Sequence, residues 1–177
     1  KVAELYQYWE NDNDSVIKNY NAKKIINKVQ RVNFILQNEK YPYLLGNLDR
    51  LQIKPYKCCV EIKTVSGYAI QSWENGIPPY FLAQVQSYMM ITGLDLCKLC
   101  ILQDGRYLEV YDVPANSGFQ AHIAERCEEF WSRVTTARAL KAEGKPYEHC
   151  EPEPDNSLAY ENFMKKKYGT EEKPVTV

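Results

Sequence analysis

The spacing of apolar residues changes along the chain between the period of helices and that of strands. Apolar residues recur at near-helical spacing over Val2–Trp9, which predicts a first helix. The Asn- and Asp-rich run over 11–15 predicts a loop. Alternating segments at 22–32 and 32–37 then favour two strands of a twisted sheet.

The middle of the chain has the pattern of two strands and a long loop. A short apolar strand is predicted over Tyr41–Arg50, and the β-branched residues of Lys57–Val65 predict a second. Between them, Gln52–Tyr56 contains a proline and is predicted to be a hairpin connection. Ser66–Pro79 is predicted to be a loop.

The clearest local signals lie farther along. An apolar helix is predicted over Tyr80–Thr92, because two prolines precede it and Gly93 follows it. Asp104-Gly105 predicts the tight turn of a β-hairpin between Leu96–Leu102 and Arg106–Val113, since glycine accepts positive φ at low cost.

The last part of the chain divides into a helix and a polar segment. Apolar residues at three-and-four spacing predict a long amphipathic helix over Phe119–Leu140. From Gly144 onward the chain has four prolines and many charges, and only Leu158–Tyr168 has a helical pattern. We therefore expect one domain over 1–143 and a C-terminal tail or appendage over 144–177.

Composition supports a folded protein and argues mildly against DNA as a partner. The chain is 45% hydrophobic and 25% charged, which is typical of globular domains. Its net charge is −1, so it has no global basic field of the kind that many nucleic-acid-binding proteins show. This objection weakens for a nuclease, because carboxylates that hold a metal ion lower the net charge while basic residues still cluster along one channel.

The six cysteines lie mostly in apolar runs, and no signal peptide or spanning helix is visible. A cytoplasmic protein with reduced thiols and no membrane partner is the simplest interpretation, although the first residue, Lys1, leaves a removed leader open. Cys97 and Cys100 form a C-x-x-C motif, but residues three apart in a strand point to opposite faces. We therefore interpret both as small buried side chains rather than metal ligands.

Candidate chemistry lies in the two central strands. Phosphodiester cleavage near neutral pH needs a divalent cation, and hard cations such as Mg²⁺ prefer oxygen ligands. Asp49 and Glu61 can supply carboxylates, and the carbonyl of Ile62 can supply a further oxygen. Lys63 lies two residues after Glu61, hence on the same face of the strand, where it can act on the attacking water.

Each of these residues also has a structural explanation. Asp49 beside Arg50 could form a surface ion pair, and Glu61 with Lys63 a charged face of the sheet. The catalytic interpretation is favoured because the Asp and the E-x-K triplet occur in order, with the triplet set in an apolar strand.

The chain resembles the YqaJ-type viral recombinase family, relatives of phage lambda exonuclease, in three segments. These are Gly46–Leu51, Cys59–Thr64 and Pro79–Gly93, and the resemblance runs in order from about Tyr41 to Trp131. It implies an α/β (α+β) fold with a restriction-endonuclease-like core, in which a central mixed β-sheet is flanked by helices. It is more specific than the E-x-K triplet alone.

The resemblance also implies roles for individual residues. Two Mg²⁺ or Mn²⁺ ions would be held by Asp49, Glu61 and the Ile62 carbonyl, with Lys63 on the nucleophilic water. A Q-x-x-x-Y pair, one turn apart on a helix face, sits beside the catalytic site in such nucleases; here it is Gln84 and Tyr88.

An acidic residue on the N-terminal helix completes the metal shell in the family. Glu4 matches this position best, with Glu10 as the alternative. The opposing explanations are a polar helix stripe for Gln84 and Tyr88 and a surface carboxylate for Glu4.

The function implied is a magnesium-dependent deoxyribonuclease. By resemblance it is an exonuclease that trims double-stranded DNA from 5′ ends during phage-type recombination in a bacterial host cell. A single-strand annealing protein and a homotrimer are the partners that the family suggests. The alternatives are a structure-selective endonuclease and an inactive DNA-end-binding module. Related nucleases with an iron–sulfur cluster are disfavoured, because no cysteine precedes Cys58.

Overall fold

The structure, a computed structural model, describes residues 2–9, 21–71, 73, 76–151, 153, 155 and 157–169. The chain divides into two compact units, Lys1–Glu129 and Phe130–Val177. This division falls inside a long helix. The domain boundary predicted after residue 143 stays a prediction.

The described residues form helices and strands of very different length. The helices are α1 (Val2–Gln7), α2 (Gly67–Gln71), α3 (Pro79–Thr92), α4 (Ser117–Ala142) and α5 (Leu158–Tyr168), with a short 3₁₀ turn at Glu148–Cys150. The strands are β1 (Lys28–Arg31), β2 (Leu36–Gln37), β3 (Leu45–Gly46), β4 (Arg50–Lys54), β5 (Cys58–Val65), β6 (Leu96–Gln103) and β7 (Tyr107–Pro114).

Five strands form a mixed sheet in the order β1-β4-β5-β6-β7, and β2 pairs with β3 separately. All neighbours in the sheet are antiparallel except β5 and β6, which are parallel. A parallel pair needs a long crossover, and here α2 and α3 lie in that connection. The central strand β5 is therefore bordered by a hairpin on one side and a helical crossover on the other.

Alternation along β5 directs its side chains to two cores. Cys59 packs in one cluster with Val85 and Met89 of α3. Cys58 and Val60 pack in another cluster, to which α1 contributes Val2 and Tyr6. The sheet thus carries α3 on one face and α1 on the other, which confirms the predicted layered α/β class.

The strongest predictions of local structure are confirmed. Helix α3 begins with Pro79 at its first turn and ends at Gly93, whose φ of 68° is left-handed and whose N–H bonds to the carbonyl of Met89. The β6–β7 hairpin turns at Asp104 and Gly105, both with positive φ, and three residues, 104–106, connect its two strands. The bounds of α5 equal the predicted Leu158–Tyr168.

Two predicted connections were wrong. Gln52 belongs to β4 and pairs with Cys58, so the strand continues to Lys54 and the turn is shorter than Gln52–Tyr56. Within the predicted loop Ser66–Pro79, residues 67–71 form α2. The hydroxyl of Ser66 accepts the N–H of Ala69 and caps this short helix.

A buried hydrogen bond fixes α1 to the sheet. The Tyr6 hydroxyl donates to the side-chain oxygen of Gln52 over 2.6 Å, and both side chains are 0% exposed. The amide of Gln52 donates in turn to the carbonyl of Tyr56 at 3.1 Å. A polar side chain is therefore tolerated at this core position, because both the oxygen and the nitrogen of the Gln52 amide have a hydrogen-bond partner.

We expect Tyr6→Phe to destabilise the protein by about 1–3 kcal/mol, because the buried oxygen of Gln52 loses its donor. Thermal unfolding checks this, with a lower Tm expected for the variant. Tyr107→Phe is the control, since Tyr107 is 61% exposed. Equal Tm values for the two variants would show that the buried hydrogen bond contributes nothing to stability.

The second unit contains the C-terminal part of α4, the 3₁₀ turn and α5. Ser157 caps α5 by accepting the N–H of Tyr160. Among the described residues, no helix combines the length and hydrophobicity needed to cross a bilayer.

Candidate active site

Asp49 immediately precedes β4 and faces the middle of β5. Arg50 pairs with Val60 in the antiparallel register, so Asp49 comes opposite Glu61. One carboxylate oxygen of Asp49 accepts the backbone N–H of Ile62 at 2.9 Å. This bond holds the Asp49 carboxylate against the edge of β5 where its pairing with β4 ends.

Glu61 is a buried carboxylate, only 3% exposed. Its Oε1 accepts from Lys63 Nζ at 2.6 Å, whereas its Oε2 is buried and has no donor among the described residues. Burial raises the pKa of Glu61, the hydrogen bond from Lys63 lowers it, and the nearby charge of Asp49 raises it again. The site thus has one buried carboxylate oxygen without a donor, close to the carboxylate of Asp49.

Lys63 is held by two oxygens and continues into a chain of hydrogen bonds. Its Nζ also donates to Gln84 Oε1 at 2.8 Å. Gln84 Nε2 donates to the Tyr88 hydroxyl at 2.9 Å. That hydroxyl donates to the carbonyl of Asn47 at 3.0 Å. The chain therefore connects β5 through α3 to the segment just before Asp49.

The close approach of β3 to α3 depends on Gly46. A Cβ placed there would lie 2.8 Å from Ile91 Cδ1 and 3.2 Å from Tyr88 Cδ1. Such distances require the two side chains on α3 to move. Glycine thus allows Asn47 to come within hydrogen-bonding distance of Tyr88.

The sequence did not reveal two further parts of the site. The Asn47 carbonyl is a backbone group and leaves no signal in residue type. Phe81 lies under Lys63, with Nζ 5.1 Å from the ring centroid, a distance at which the aromatic ring attracts the cation. An aromatic residue one turn before Gln84 on α3 was the available signal, but it looked like an ordinary core position.

The Ile62 carbonyl points to the same edge of β5 as Asp49. In an extended strand the N–H and C=O of one residue lie on the same side, and the Ile62 N–H bonds Asp49. A cleft of about 280 Å³ opens here, lined by Val2, Ala3, Asp49, Arg50 and Ile62. The cleft thus combines a carboxylate, a backbone carbonyl and the beginning of α1.

Glu4 lies on α1, close in sequence to this cleft, and its side chain is exposed. Within the ranges given above, no three His, Cys, Asp or Glu side chains come close enough together to hold a metal ion. Glu4 as a metal ligand stays a prediction, and Glu10 lies outside the described residues. The structure therefore brings together Asp49, Glu61, Ile62, Lys63, Gln84 and Tyr88, but does not join Glu4 to them.

Comparison with known proteins identifies the family. Residues 6–95, about half of the chain, match the YqaJ-like viral recombinase domain. The chain belongs to this family. It is 30% identical over 149 residues to the uncharacterized protein YqaJ of Bacillus subtilis (strain 168). The aligned region covers 82% of this chain but 43% of that relative. The chain thus spans less than half the length of this curated relative.

Two solved structures share the fold of this YqaJ-like chain. The crystal structure of an alkaline exonuclease from Laribacter hongkongensis aligns with a TM-score of 0.59 and 18% identity, over 81% of this chain and 80% of the other. The same exonuclease in complex with dAMP aligns with a TM-score of 0.58 over equal shares, again at 18% identity. These similarities confirm the predicted restriction-endonuclease-like fold.

The atoms of the YqaJ-like site that could bind a metal ion are oxygens. Cys97 and Cys100 pack in opposite cores, as the C-x-x-C spacing predicts for a strand. Burial raises the pKa of both thiols, which disfavours the thiolate form that soft metals bind. The absence of zinc and of an iron–sulfur cluster from the purified protein stays a prediction.

Proposed function

We propose that this chain is a metal-dependent deoxyribonuclease, acting as an exonuclease on double-stranded DNA. The observation that carries the proposal is the unpaired Glu61 Oε2, buried beside Asp49 and two residues from Lys63. Unpaired buried carboxylate oxygens are costly, and a cation bound there would remove that cost. Family membership and the shared fold of the Laribacter hongkongensis alkaline exonuclease support the same conclusion.

The residues present fit a hard divalent cation. Asp49 and Glu61 offer carboxylates and Ile62 offers a carbonyl, which is the oxygen set that Mg²⁺ or Mn²⁺ prefers. We propose two such ions, held by these three residues with Glu4 as a further ligand. When bound, such ions lower the pKa of water and offset the charge that develops on the phosphate.

The other residues of the site position the reactants. Lys63 lies 2.6 Å from Glu61 Oε1 and 2.8 Å from Gln84 Oε1, so two acceptors hold its ammonium beside Glu61. We propose that it acts on the attacking water from there. Tyr88 holds Gln84 in place from the other end. We propose that Gln84 and Tyr88 orient Lys63 and contact the phosphate.

The finer features of the activity are proposals drawn from the family. We propose degradation from 5′ ends toward 3′ ends during phage-type recombination. A single-strand annealing protein and a homotrimeric assembly are the proposed partners. A structure-selective endonuclease remains the alternative reaction.

Digestion of a linear duplex labelled separately at its two 5′ ends tests this proposal. With Mg²⁺ we expect early release of short labelled products from both 5′ ends and none when a chelator is present. Labelled products of internal length that form without gradual shortening would support the endonuclease, whereas labelled strands that shorten gradually from full length would show degradation from 3′ ends. Binding of duplex ends without any cleavage would leave an inactive end-binding module and overturn the proposal.

A further inference from the structure

A groove lies beside the candidate active site, at the C-terminal end of α3. Its volume is about 430 Å³, within the range of pockets that bind small organic groups. We call it the Phe34 groove, and its lining includes Arg31, Phe34, Leu36, Leu51, Lys57 and Ile91. Most of the groove surface is thus apolar, and two cations lie within it.

A second cleft shares part of its lining with this groove and also includes Asn47. It has a volume of about 260 Å³ and is lined by Arg31, Val32, Asn33, Phe34, Ile35 and Asn47. Asn47 accepts the Tyr88 hydroxyl and precedes Asp49 by two residues. Ile91 follows Tyr88 by less than one turn of α3, about 4.5 Å along the helix axis. The Phe34 groove and the second cleft thus share lining residues, and the second cleft includes Asn47, two residues before Asp49.

The segment 21–57, which supplies most of the groove lining, carries a positive net charge although the whole chain is nearly neutral. Residues 21–57 contain eight Lys or Arg and two acidic residues, a net charge of +6, whereas residues 58–129 contain four basic and nine acidic residues, a net charge of −5. Among the described residues, neither Arg31 nor Lys57 forms an ion pair. This partition favours a polyanion over a neutral or basic protein partner.

The same segment exposes large apolar side chains. Phe34 is 64% exposed, Ile35 68% and Leu45 60%. An intact duplex would meet this surface with its phosphates, because its bases are stacked inside. Unpaired bases, in contrast, gain by stacking on an exposed aromatic ring while the backbone follows basic residues.

We propose that the Phe34 groove binds unpaired nucleobases of a single DNA strand, with Phe34 as the stacking surface and Arg31 and Lys57 on the phosphates. The proposal rests on the proposed nuclease function, because it takes this strand to be continuous with the strand at Asp49. The ligand class is single-stranded DNA of any sequence, since every base has a face that can stack.

Binding of a fluorescein-labelled oligothymidylate of about ten nucleotides tests the proposal, with Ca²⁺ replacing Mg²⁺ so that no cleavage occurs. By fluorescence anisotropy, Phe34→Ala should raise Kd about 5- to 100-fold. Phe34→Trp should retain the affinity, and its added tryptophan fluorescence should be quenched on binding. Arg31→Ala should make binding less dependent on salt: the negative slope of the log of the binding constant against the log of the salt concentration should become smaller in magnitude by about 0.7.

Matched controls lie at the β6–β7 turn, beside the opposite edge strand of the sheet. Tyr107→Ala removes an exposed aromatic ring and Arg106→Ala an exposed cation there, and neither should change oligothymidylate binding. If Phe34→Ala binds as tightly as the unmodified protein, the inference is wrong. If Phe34→Ala instead changes only self-association in sedimentation velocity, the groove is a contact between copies of the chain.

The outcomes separate this inference from the proposed function. If the protein binds oligothymidylate through Phe34 but cleaves no DNA, the proposed nuclease function is wrong and the Phe34 groove is a binding site for single-stranded DNA. Cleavage of duplex DNA together with oligothymidylate binding that does not depend on Phe34 would overturn the proposed role of the Phe34 groove and leave the proposed nuclease function standing.

Discussion

Replacing Lys63 by Met is expected to lower the rate of DNA cleavage about 10²- to 10⁴-fold. Its Nζ donates to Glu61 and Gln84, so its positive charge is held beside a proposed metal ligand, where we propose that it acts on the attacking water. The Lys63 side chain is 22% exposed, and Met has nearly its length, so the fold should be unchanged. Single-turnover cleavage of an end-labelled duplex measures the effect.

The carboxylate variants should be at least as severe. Asp49→Asn and Glu61→Gln each remove one proposed ligand charge, and a loss of about a thousandfold or more is expected. Lys166→Met and Asp95→Asn are the controls, because both side chains are exposed and neither residue belongs to the proposed site. Near-normal cleavage by a folded Asp49→Asn, Glu61→Gln or Lys63→Met protein would exclude that residue from the mechanism.

The second large effect expected is on stability, through Glu61. Without divalent cation, Glu61→Gln should unfold at a higher Tm than the unmodified protein near neutral pH, by about 2–4 °C for each kcal/mol gained. The substitution removes a buried charge, while Lys63 keeps the Gln84 oxygen as acceptor. With Mg²⁺ the order should reverse, because only the unmodified protein would gain the stabilisation of binding, about 2.7 kcal/mol at a hundredfold excess over Kd.

The direction of the pKa shift predicts how this difference depends on pH. The pKa of Glu61 is raised in the folded chain above its ordinary value of 4.5, chiefly by burial. The folded state therefore binds this proton more tightly than the unfolded chain does. The stability from Glu61 is fully present below pH 4.5 and is lost as the pH rises through the folded pKa.

Scanning calorimetry of both proteins at several pH values, with and without Mg²⁺, measures this effect. The cation-free difference in Tm should shrink as the pH falls toward 4.5. Glu39→Gln is the control, because Glu39 is exposed and its replacement should change Tm little. A Glu61→Gln protein that is stabilised by Mg²⁺ as strongly as the unmodified protein would contradict the assignment of Glu61 as a ligand.

Sequence patterns were sufficient for the elements whose signals are local. Prolines before α3 and Gly93 after it fixed that helix closely, and Asp104-Gly105 fixed the β6–β7 turn. Gln52 was misassigned because its burial depends on Tyr6, which is 46 residues away. For α2 a local signal existed, since Ser66 is a helix-capping residue type, but the helix is only five residues long.

The candidate site was predicted more completely than its environment. The E-x-K spacing placed Glu61 and Lys63 on one face and Ile62 on the other, as the structure has them. The burial of Glu61, which is 3% exposed, was not predicted. Periodicity could not show this, since the burial arises from α3, which enters through the crossover between β5 and β6. The support of Tyr88 by Asn47 involves a backbone atom and was likewise not predictable.

Within residues 21–129 the charge is separated along the sheet, because the basic segment 21–57 supplies β1 and β4 and the acidic segment 58–129 supplies β5, β6 and β7. This part of the chain therefore has an electric dipole that the net charge of −1 conceals. Near DNA, within the screening length of about 8 Å at physiological salt, such a dipole experiences a torque that turns its basic side toward the phosphates. For the proposed nuclease, rotation would then precede contact, and a larger fraction of diffusional encounters would begin with residues 21–57 facing the nucleic acid. A nearly neutral protein could thus raise its fraction of productive encounters with DNA through orientation, whereas strongly basic proteins raise it through their total charge.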